Sequence, residues 1–446
     1  MGGERHVAAH AFGCGCPLCA AVNAATLLTA AIAVATILAV LTRPRGISEG
    51  VWAVTGGALM VATLRITPRE ALATLADLSG VLVFLVGLFW LTLAAGRAGL
   101  FERAALLSVR AAGGDGRRLL AAVFAFGTLT TALLSNDATV VLVTPVVLVA
   151  CRTLRLPPLP YLFACTFVAD TASSLLPVSN PINLLYAERF DIAFQRHVAL
   201  LALPTVLAVV VNAAIFHMLF RADLPRRFDP TPLLAKATAP LTRAERSIAI
   251  GLGLVALGYI GSAGVGLAPY WVTLAGGAAL ALVGIVGGKV TAADLWRVQP
   301  PSLYAFVIGL AIVVAAADGA GLLDALGRAV TRATSVGELI GLFGVAFGTA
   351  LGTNVVNNWT MALAVIPPLE RSGASELLIV GSMLGADIGP NFSVVGSLAT
   401  LIWLTEIRRE GLAVSARTYL RLGVIATLPA LAVALIALYL LHMALG

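Results

Sequence analysis

From residue 24 to the C-terminus the chain is a succession of continuous apolar runs, most of them of the length needed to cross a hydrocarbon core of roughly 30 Å. Such runs leave few folds open. In lipid every backbone N–H and C=O must be satisfied within the structure, and only helices and closed barrels achieve that. Barrel strands alternate apolar and polar residues, whereas these runs do not alternate, so helices are expected. Of the 446 residues 59% are hydrophobic and 11% charged, against about 25% charged in soluble domains, and the mean hydropathy is +0.97. The expected class is an all-α polytopic protein, multi-pass in the inner (cell) membrane with the lipid bilayer as its surroundings. A net charge of +7 points to no nucleic acid, because the arginines gather in short loops between apolar segments, where membrane topology accounts for them.

The first 23 residues, "MGGERHVAAHAFGCGCPLCAAVN", lack the charged start followed at once by an apolar core that a cleavable signal shows. They are expected to be a disordered N-terminal tail preceding a retained first helix. Three of the five cysteines, Cys14, Cys16 and Cys19, fall here. They suit either no specific role or a soft metalloid thiolate site. No second ligand pair of zinc-finger type accompanies them, so no resident metal and no cofactor are expected.

The chain repeats itself after about 220 residues. Trp52 with Gly56-Gly57 returns as Trp271 with Gly276-Gly277, "GLFW" with Ala98-Gly99-Leu100 as "GLAI" with Ala320-Gly321-Leu322, and Asn136 as Asn357. "VADTASSLLPVSNPINLL" returns as "GADIGPNFSVVGSLATLI", setting Asp170 against Asp387 and Asn180 against Ser397. Four matches in register divide the chain into a repeat over 24–220, a linker over 221–246 and a repeat over 247–446. In the first, apolar helices at 24–41, 51–66 and 79–95 precede an amphipathic stretch, 97–118, suited to the interface. The segment 119–150 is split by "LLSNDATVVLVTP" into arms of about 15 residues, each reaching only about 22 Å, which predicts a re-entrant hairpin. The segment 160–188 is interrupted by "DTASSLLPVSNP", which predicts a broken helix, and 198–220 closes the repeat. Five crossings, one interfacial helix and one hairpin per repeat make the repeats inverted, since five is odd. With the linker cytoplasmic, 21 of the 29 lysines and arginines lie inside, which supports that orientation and puts both termini outside.

Acids and amides enter the apolar core only at two hairpin tips, "SNDAT" and "TNVVNNWT", and at two broken helices, "DTASSLLPVSNPIN" and "DIGPNFSVVGS". Irregular backbone at membrane depth lines a cavity or is buried in protein, so the four should meet near the midplane. Asp137, Asp170 and Asp387 are the candidates for proton coupling or cation binding; each could instead cap a half-helix without changing charge. Ser135, Asn136, Asn180, Asn183, Asn357, Asn358, Thr360, Ser393 and Ser397 are the candidates for binding substrate, or for satisfying backbone freed at the breaks. Ser173, Ser174, Ser179 and Thr400 line the same breaks, and Trp359 either walls the site or packs. No Lys, Arg or His occurs in 119–151, 160–188, 338–370 or 376–407, so the site leans towards neutral or cationic cargo.

"LLSNDATVVLVTPVVL", "FVADTASSLLPVSNPINLLYAERF" and "GADIGPNFSVVGSLATLIWL" resemble the arsenite/antimonite efflux permeases of the ion transporter superfamily, over nearly the whole chain from residue 24. The resemblance implies export of trivalent arsenic and antimony as neutral hydroxides, driven by proton entry, in some members with a cytoplasmic arsenite-stimulated ATPase as partner. By fold-level analogy it also implies a homodimer in which hairpin and broken helix travel as a unit. The chain departs from the family pattern at Trp359, which stands where a proline usually precedes Thr360, and at Asn391 and Ser393-Val394, where a lysine and a Thr-Pro are usual. No P-loop is present. The resulting expectation is a proton-coupled exporter of arsenite and antimonite rather than an enzyme, with a sodium/proton antiporter as the alternative within transport and a membrane solute sensor outside it.

Overall fold

The computed structural model describes residues 24–237 and 241–445. The tail 1–23, with Cys14, Cys16 and Cys19, lies outside these residues. No strand occurs among the described residues, and nine helical stretches are long and apolar enough to cross a membrane.

The helices run in two sets of ten. The first comprises α1 (Ala24–Thr42), α2 (Glu49–Ala62), α3 (Pro68–Asp77), α4 (Ser79–Ala98), α5 (Leu100–Ala112), α6 (Gly116–Leu133), α7 (Asn136–Thr153), α8 (Leu159–Thr171), α9 (Pro181–Arg189) and α10 (Phe194–Leu219). After α11 (Thr231–Ala237) the second comprises α12 (Arg243–Ser262), α13 (Pro269–Val286), α14 (Ala292–Arg297), α15 (Pro301–Gly319), α16 (Asp324–Ser335), α17 (Glu338–Val356), α18 (Asn358–Arg371), α19 (Glu376–Ile388), α20 (Leu398–Arg409) and α21 (Ala416–Leu445). Even local devices recur: α3 and α14 each start with a capping box, Thr67 with Glu70 and Thr291 with Asp294, which satisfies two orphan N–H groups reciprocally.

Two readings of the sequence need correction. The amphipathic stretch 97–118 is not one helix: α4 continues through Ala98, Gly99 turns the chain at φ +82°, and α5 ends at Gly113 and Gly114, both at positive φ. Glycine reaches that region without steric penalty. Three of the four hairpin arms are also longer than about 15 residues, since α6 and α7 have 18 each and α17 has 19, while α18 has 14. Polar ends extend them: Asp115 caps α6 by accepting from the N–H groups of Arg117 (2.7 Å) and Arg118 (3.2 Å), and α7 runs out through Arg152. Length alone therefore does not mark the hairpins. The α6–α7 turn is buried in protein, with Leu134 3% and Ser135 1% exposed.

The helices pack as two groups. A frame is made by α1–α4 with α12–α15, a core bundle by α6–α10 with α17–α21, and α5 and α16 connect them. In the frame, α2 packs on α15 and α4 on α13, so each half supplies what the other needs. Both crossings run through glycine. A Cβ on Gly57 would lie 3.1 Å from the Gly309 carbonyl oxygen, and one on Gly309 would overlap the Ala53 backbone; one on Gly277 would overlap the Gly87 carbonyl, and one on Gly87 would lie 2.6 Å from the Leu274 backbone. Close backbone approach between small residues is how helices associate in lipid, where no hydrophobic force separates them from the acyl chains. Gly50 N–H donating to Ser302 Oγ (3.3 Å) fixes the α2–α15 contact, and Trp90 Nε1–H donating to the Leu295 carbonyl (3.1 Å) ties α4 to α14 beside its crossing with α13.

Gly309→Leu should therefore separate α2 from α15 and remove the monodisperse species on size exclusion in detergent, overpacking of this kind costing at least about 1–3 kcal/mol. Gly319→Ala, at a position with nothing within 4 Å of a Cβ, should elute and melt like the parent chain.

Candidate functional site

The core bundle is organised by two interrupted helices. In the first, α8 stops at Thr171 and the chain continues through 3-10 turns at 172–174 and 177–179 before α9 starts at Pro181. Pro177 and Pro181 have no N–H to donate, which favours the interruption, and Asn180 caps α9 by accepting from Ile182 N–H (3.1 Å). In the second, α19 gives way at Gly389-Pro390 to a 3-10 turn, and Ser397 caps α20 by accepting from Thr400 N–H (3.1 Å).

Asp170 closes α8 and Asp387 closes α19, each 1% exposed. All but one of their hydrogen bonds cross between the halves. Asp170 Oδ2 accepts from Ser397 Oγ (3.0 Å) and Thr400 Oγ1 (3.2 Å), and its Oδ1 from Asn136 Nδ2 (3.4 Å). Asp387 accepts from Ser174 Oγ (2.8 Å) and Asn180 Nδ2 (2.7 Å). The matched residues Asn180 and Ser397 thus do the same work, each bonding the acid of the opposite half. Buried carboxylates demand such partners, and all of these are neutral amides and hydroxyls.

The tips attach to the breaks. Ser135 caps α7 (Ala138 N–H to Oγ, 3.1 Å), and Ser179 Oγ donates to the Ala132 carbonyl (3.2 Å). At the second tip Asn357 caps α18, accepting from Thr360 N–H (2.9 Å) and Thr360 Oγ1 (3.1 Å), and Asn358 N–H donates to the Gly396 carbonyl (2.9 Å). Asn357 stands at φ +69°, ψ 166°, a region in which non-glycine backbone is strained. By role, Ser135 corresponds to Asn357 and Asn136 to Asn358, because Asn136 Oδ1 and Asn358 Oδ1 each accept from the next N–H at 2.9 and 3.0 Å. This shifts by one residue the match of Asn136 with Asn357. Asp137 then stands opposite Trp359, which is 3% exposed and packs in the core.

The remaining candidates divide. Ser393 Oγ donates to Asn354 Oδ1 (2.7 Å), while Asn354 Nδ2 donates to the Gly389 carbonyl (2.9 Å). Asn354 thereby ties the second tip to the second break; it lies within "TNVVNNWT" but one turn before the tip. Asn183 Nδ2 spans the first break to the Ser173 carbonyl (2.8 Å). Asn391 is an anchor, donating to the Phe167 carbonyl and Thr171 Oγ1, both at 3.1 Å. His197 on α10 was not among the expected residues, yet its Nε2 lies 3.0 Å from the Ser174 carbonyl in the buried first break. A lone histidine in an apolar helix was the available signal, and it fell outside the four polar segments.

Asp137 differs from the other two acids. It is half-buried, and no hydrogen bond or ion pair reaches its carboxylate among the described residues. It lines a cavity of about 550 Å³ with Ser135, Ala138, Leu398 and Ile402, whose outer part carries Arg43, Glu49, Arg97 and Glu102. The four polar segments are therefore brought together, with one acid on open space and two held.

Comparison with known proteins places this geometry. A family model described as ArsB, arsenical pump membrane protein, matches residues 28–442. The arsenical pump membrane proteins of Escherichia coli strain K12 and of Yersinia enterocolitica are each 29% identical to the chain, over 422 and 428 residues, covering 92% of it and 98% of each relative. Among solved structures, the YdaH transporter of Alcanivorax borkumensis superposes with a TM-score of 0.57 at 16% identity, over 93% of this chain and 98% of that one. MtrF of Neisseria gonorrhoeae superposes with a TM-score of 0.54 at 16% identity, covering 95% of each. These two likenesses establish a shared transporter fold.

The strain at Asn357 yields a stability test. Asn357→Ala removes the cap and keeps the unfavourable φ, and should lower stability in detergent by about 1–3 kcal/mol. Asn357→Gly relieves the backbone and should lose clearly less. Equal losses in thermal unfolding would show that the cap alone matters.

Proposed function

The chain belongs to the ArsB family of arsenical pump membrane proteins, and from that premise we propose that it exports arsenite and antimonite, as neutral trivalent hydroxides, in exchange for protons. The observation that carries this reading is Asp137, a carboxylate without a partner among the described residues, on a 550 Å³ cavity whose lining around it is the Ser135 hydroxyl and apolar side chains, with no basic group from the tip or the broken helices. A neutral hydroxide presents O–H donors. A deprotonated Asp137 accepts them strongly at both oxygens, whereas a protonated one keeps only a weaker carbonyl acceptor and adds a donor of its own, so cargo and proton compete for one group. By linkage, each lowers the affinity for the other.

The same competition couples the two flows. A bare carboxylate is costly to carry into apolar surroundings, so the site crosses readily only with cargo or with a proton in place. Asp170 and Asp387 are structural in this reading: donors already occupy their oxygens, Ser397 and Thr400 of the opposite half with Asn136 of its own for Asp170, and Ser174 and Asn180 of the opposite half for Asp387, and they hold the two breaks in register. The halves 24–220 and 247–446 act as inverted repeats, an arrangement supported by the reciprocal pairing of α2 with α15 and α4 with α13 and by the excess of basic residues on the linker side.

In everted vesicles energised by an inward-acidic gradient, arsenite should accumulate and consume part of the gradient, and antimonite should compete. Asp137→Asn should abolish gradient-driven accumulation while the protein still reaches the membrane. Asp170→Asn should lower thermal stability and retain the pH dependence of whatever activity remains. Loss of pH dependence in Asp170→Asn with a normal Asp137→Asn would reverse the two roles. Sodium dissipating the gradient while both metalloids do nothing would replace the reading with sodium/proton antiport.

A further inference from the structure

We infer that Arg189 and Arg371 are positioning residues that latch the face of the protein opposite the Asp137 cavity, so that the state described here is open to the basic-rich side alone. The inference rests on the transport reading for its purpose, and on ion pairs and cavities for its substance.

The two faces differ. On the basic-rich side the 550 Å³ cavity runs from Arg43 and Arg97 down to Asp137. On the other, a cavity of about 300 Å³ is lined by Asp77, Arg189, Asp318, Glu370 and Arg371 and reaches Leu185 and Leu363, a second of about 540 Å³ lies along α16 from Asp324 to Arg371, and neither lining includes a tip residue. Across this second face the frame is joined to the core bundle by ion pairs. Arg189, at the end of α9, bonds Asp77 at the end of α3 (2.7 Å) and Glu370 at the end of α18 (3.0 Å). Arg371 on α18 bonds Asp318 on α15 through both guanidinium nitrogens, at 2.6 and 2.8 Å.

At the cavity side the pairs run differently. Arg43–Glu49 (3.2 Å) and Arg97–Asp294 (3.5 Å) stay within the frame, and Arg103–Glu245 (3.7 Å) ties the connecting helix α5 to α12. Arg152–Glu410, from α7 to α20, stays within the core bundle. It is the counterpart of Arg189–Glu370, with the charges exchanged between the matched helices. What the cavity side lacks among these pairs is a counterpart of Arg189–Asp77 and of Arg371–Asp318, the two that cross from frame to bundle. Paired, bidentate arginine contacts fix geometry as well as charge, and their removal releases the bundle from the frame on that face only.

The test reads conformation without cargo. The five native cysteines are replaced by serine, and a single cysteine is placed at Thr92, in the larger cavity, or at Leu363, in the smaller. Labelling rates with a polar maleimide are then measured on purified full chain. Arg189→Gln with Arg371→Gln should raise the rate at 363 and lower it at 92, each by roughly threefold to tenfold, the scale set by losing two partly exposed ion pairs. The exchange Asp318→Arg with Arg371→Asp should return both rates towards the parent, and raising salt to about 1 M should move the parent in the direction of the double variant. Unchanged rates in a folded double variant overturn the latch. If that variant fails to fold, a parent indifferent to salt overturns it instead. A chain that labels as expected yet moves no arsenite keeps the latch and loses the transport reading; one that transports with unmoved labelling loses the latch alone.

Discussion

Each of the two interrupted helices carries an acid at its break that it cannot satisfy itself, and the other helix supplies the donors. Asp170 depends on Ser397 and Thr400, and Asp387 on Ser174 and Asn180. In a medium without water this is a strong constraint, since a carboxylate left without donors would be far costlier than the bonds are worth. Neither break can open, shift by a turn or straighten into a continuous helix without stranding the acid of its counterpart. The hairpin tips inherit their positions from this lock through Ser179 to Ala132 and Asn358 to Gly396, and the cavity ending at Asp137 exists because the tip is held there.

The duplication is architectural more than chemical. Helix order, capping boxes, glycine crossings and crossed acids are all doubled, yet the tips differ: one presents Asp137 to open space, and the other buries Trp359 at the equivalent place. The departures from the family pattern sit in the same asymmetry. Asn391 is buried and acts as an anchor between the second break and α8, and Ser393 binds Asn354. Neither lines the Asp137 cavity, so these two departures alter the scaffold of the second break rather than the wall that cargo would meet.

Much of this was legible in the sequence because breaks are written locally. Proline, glycine and small polar residues inside an apolar run specify an interruption wherever the rest of the chain goes, and so the four polar segments and three acids could be named in advance. Residue pairings were not legible, since nothing local tells Asp387 that its donors lie 207 and 213 positions away. Sequence matching set Asn136 against Asn357, whereas cap geometry sets it against Asn358; apolar helices tolerate a slip of one residue in alignment, and a helix cap does not. The arm lengths failed for a related reason: an apolar run measures the part of a helix that lies in lipid, and Asp115 and Arg152 carry α6 and α7 beyond it.

The glycine crossings also govern how the molecule can be made. Gly57 meets Gly309 and Gly87 meets Gly277, and Gly50 finds Ser302 252 residues later. At about 5–20 residues per second, the ribosome delivers that second partner roughly 10 to 50 s after the first. For most of that interval α2, and from its own completion α4, stands synthesised with its small-residue face unpaired by its partner helix. The first half of the chain must wait in the bilayer as an unfinished surface, so the interval between the two halves is when a chaperone, a protease or a neighbouring nascent chain has its access.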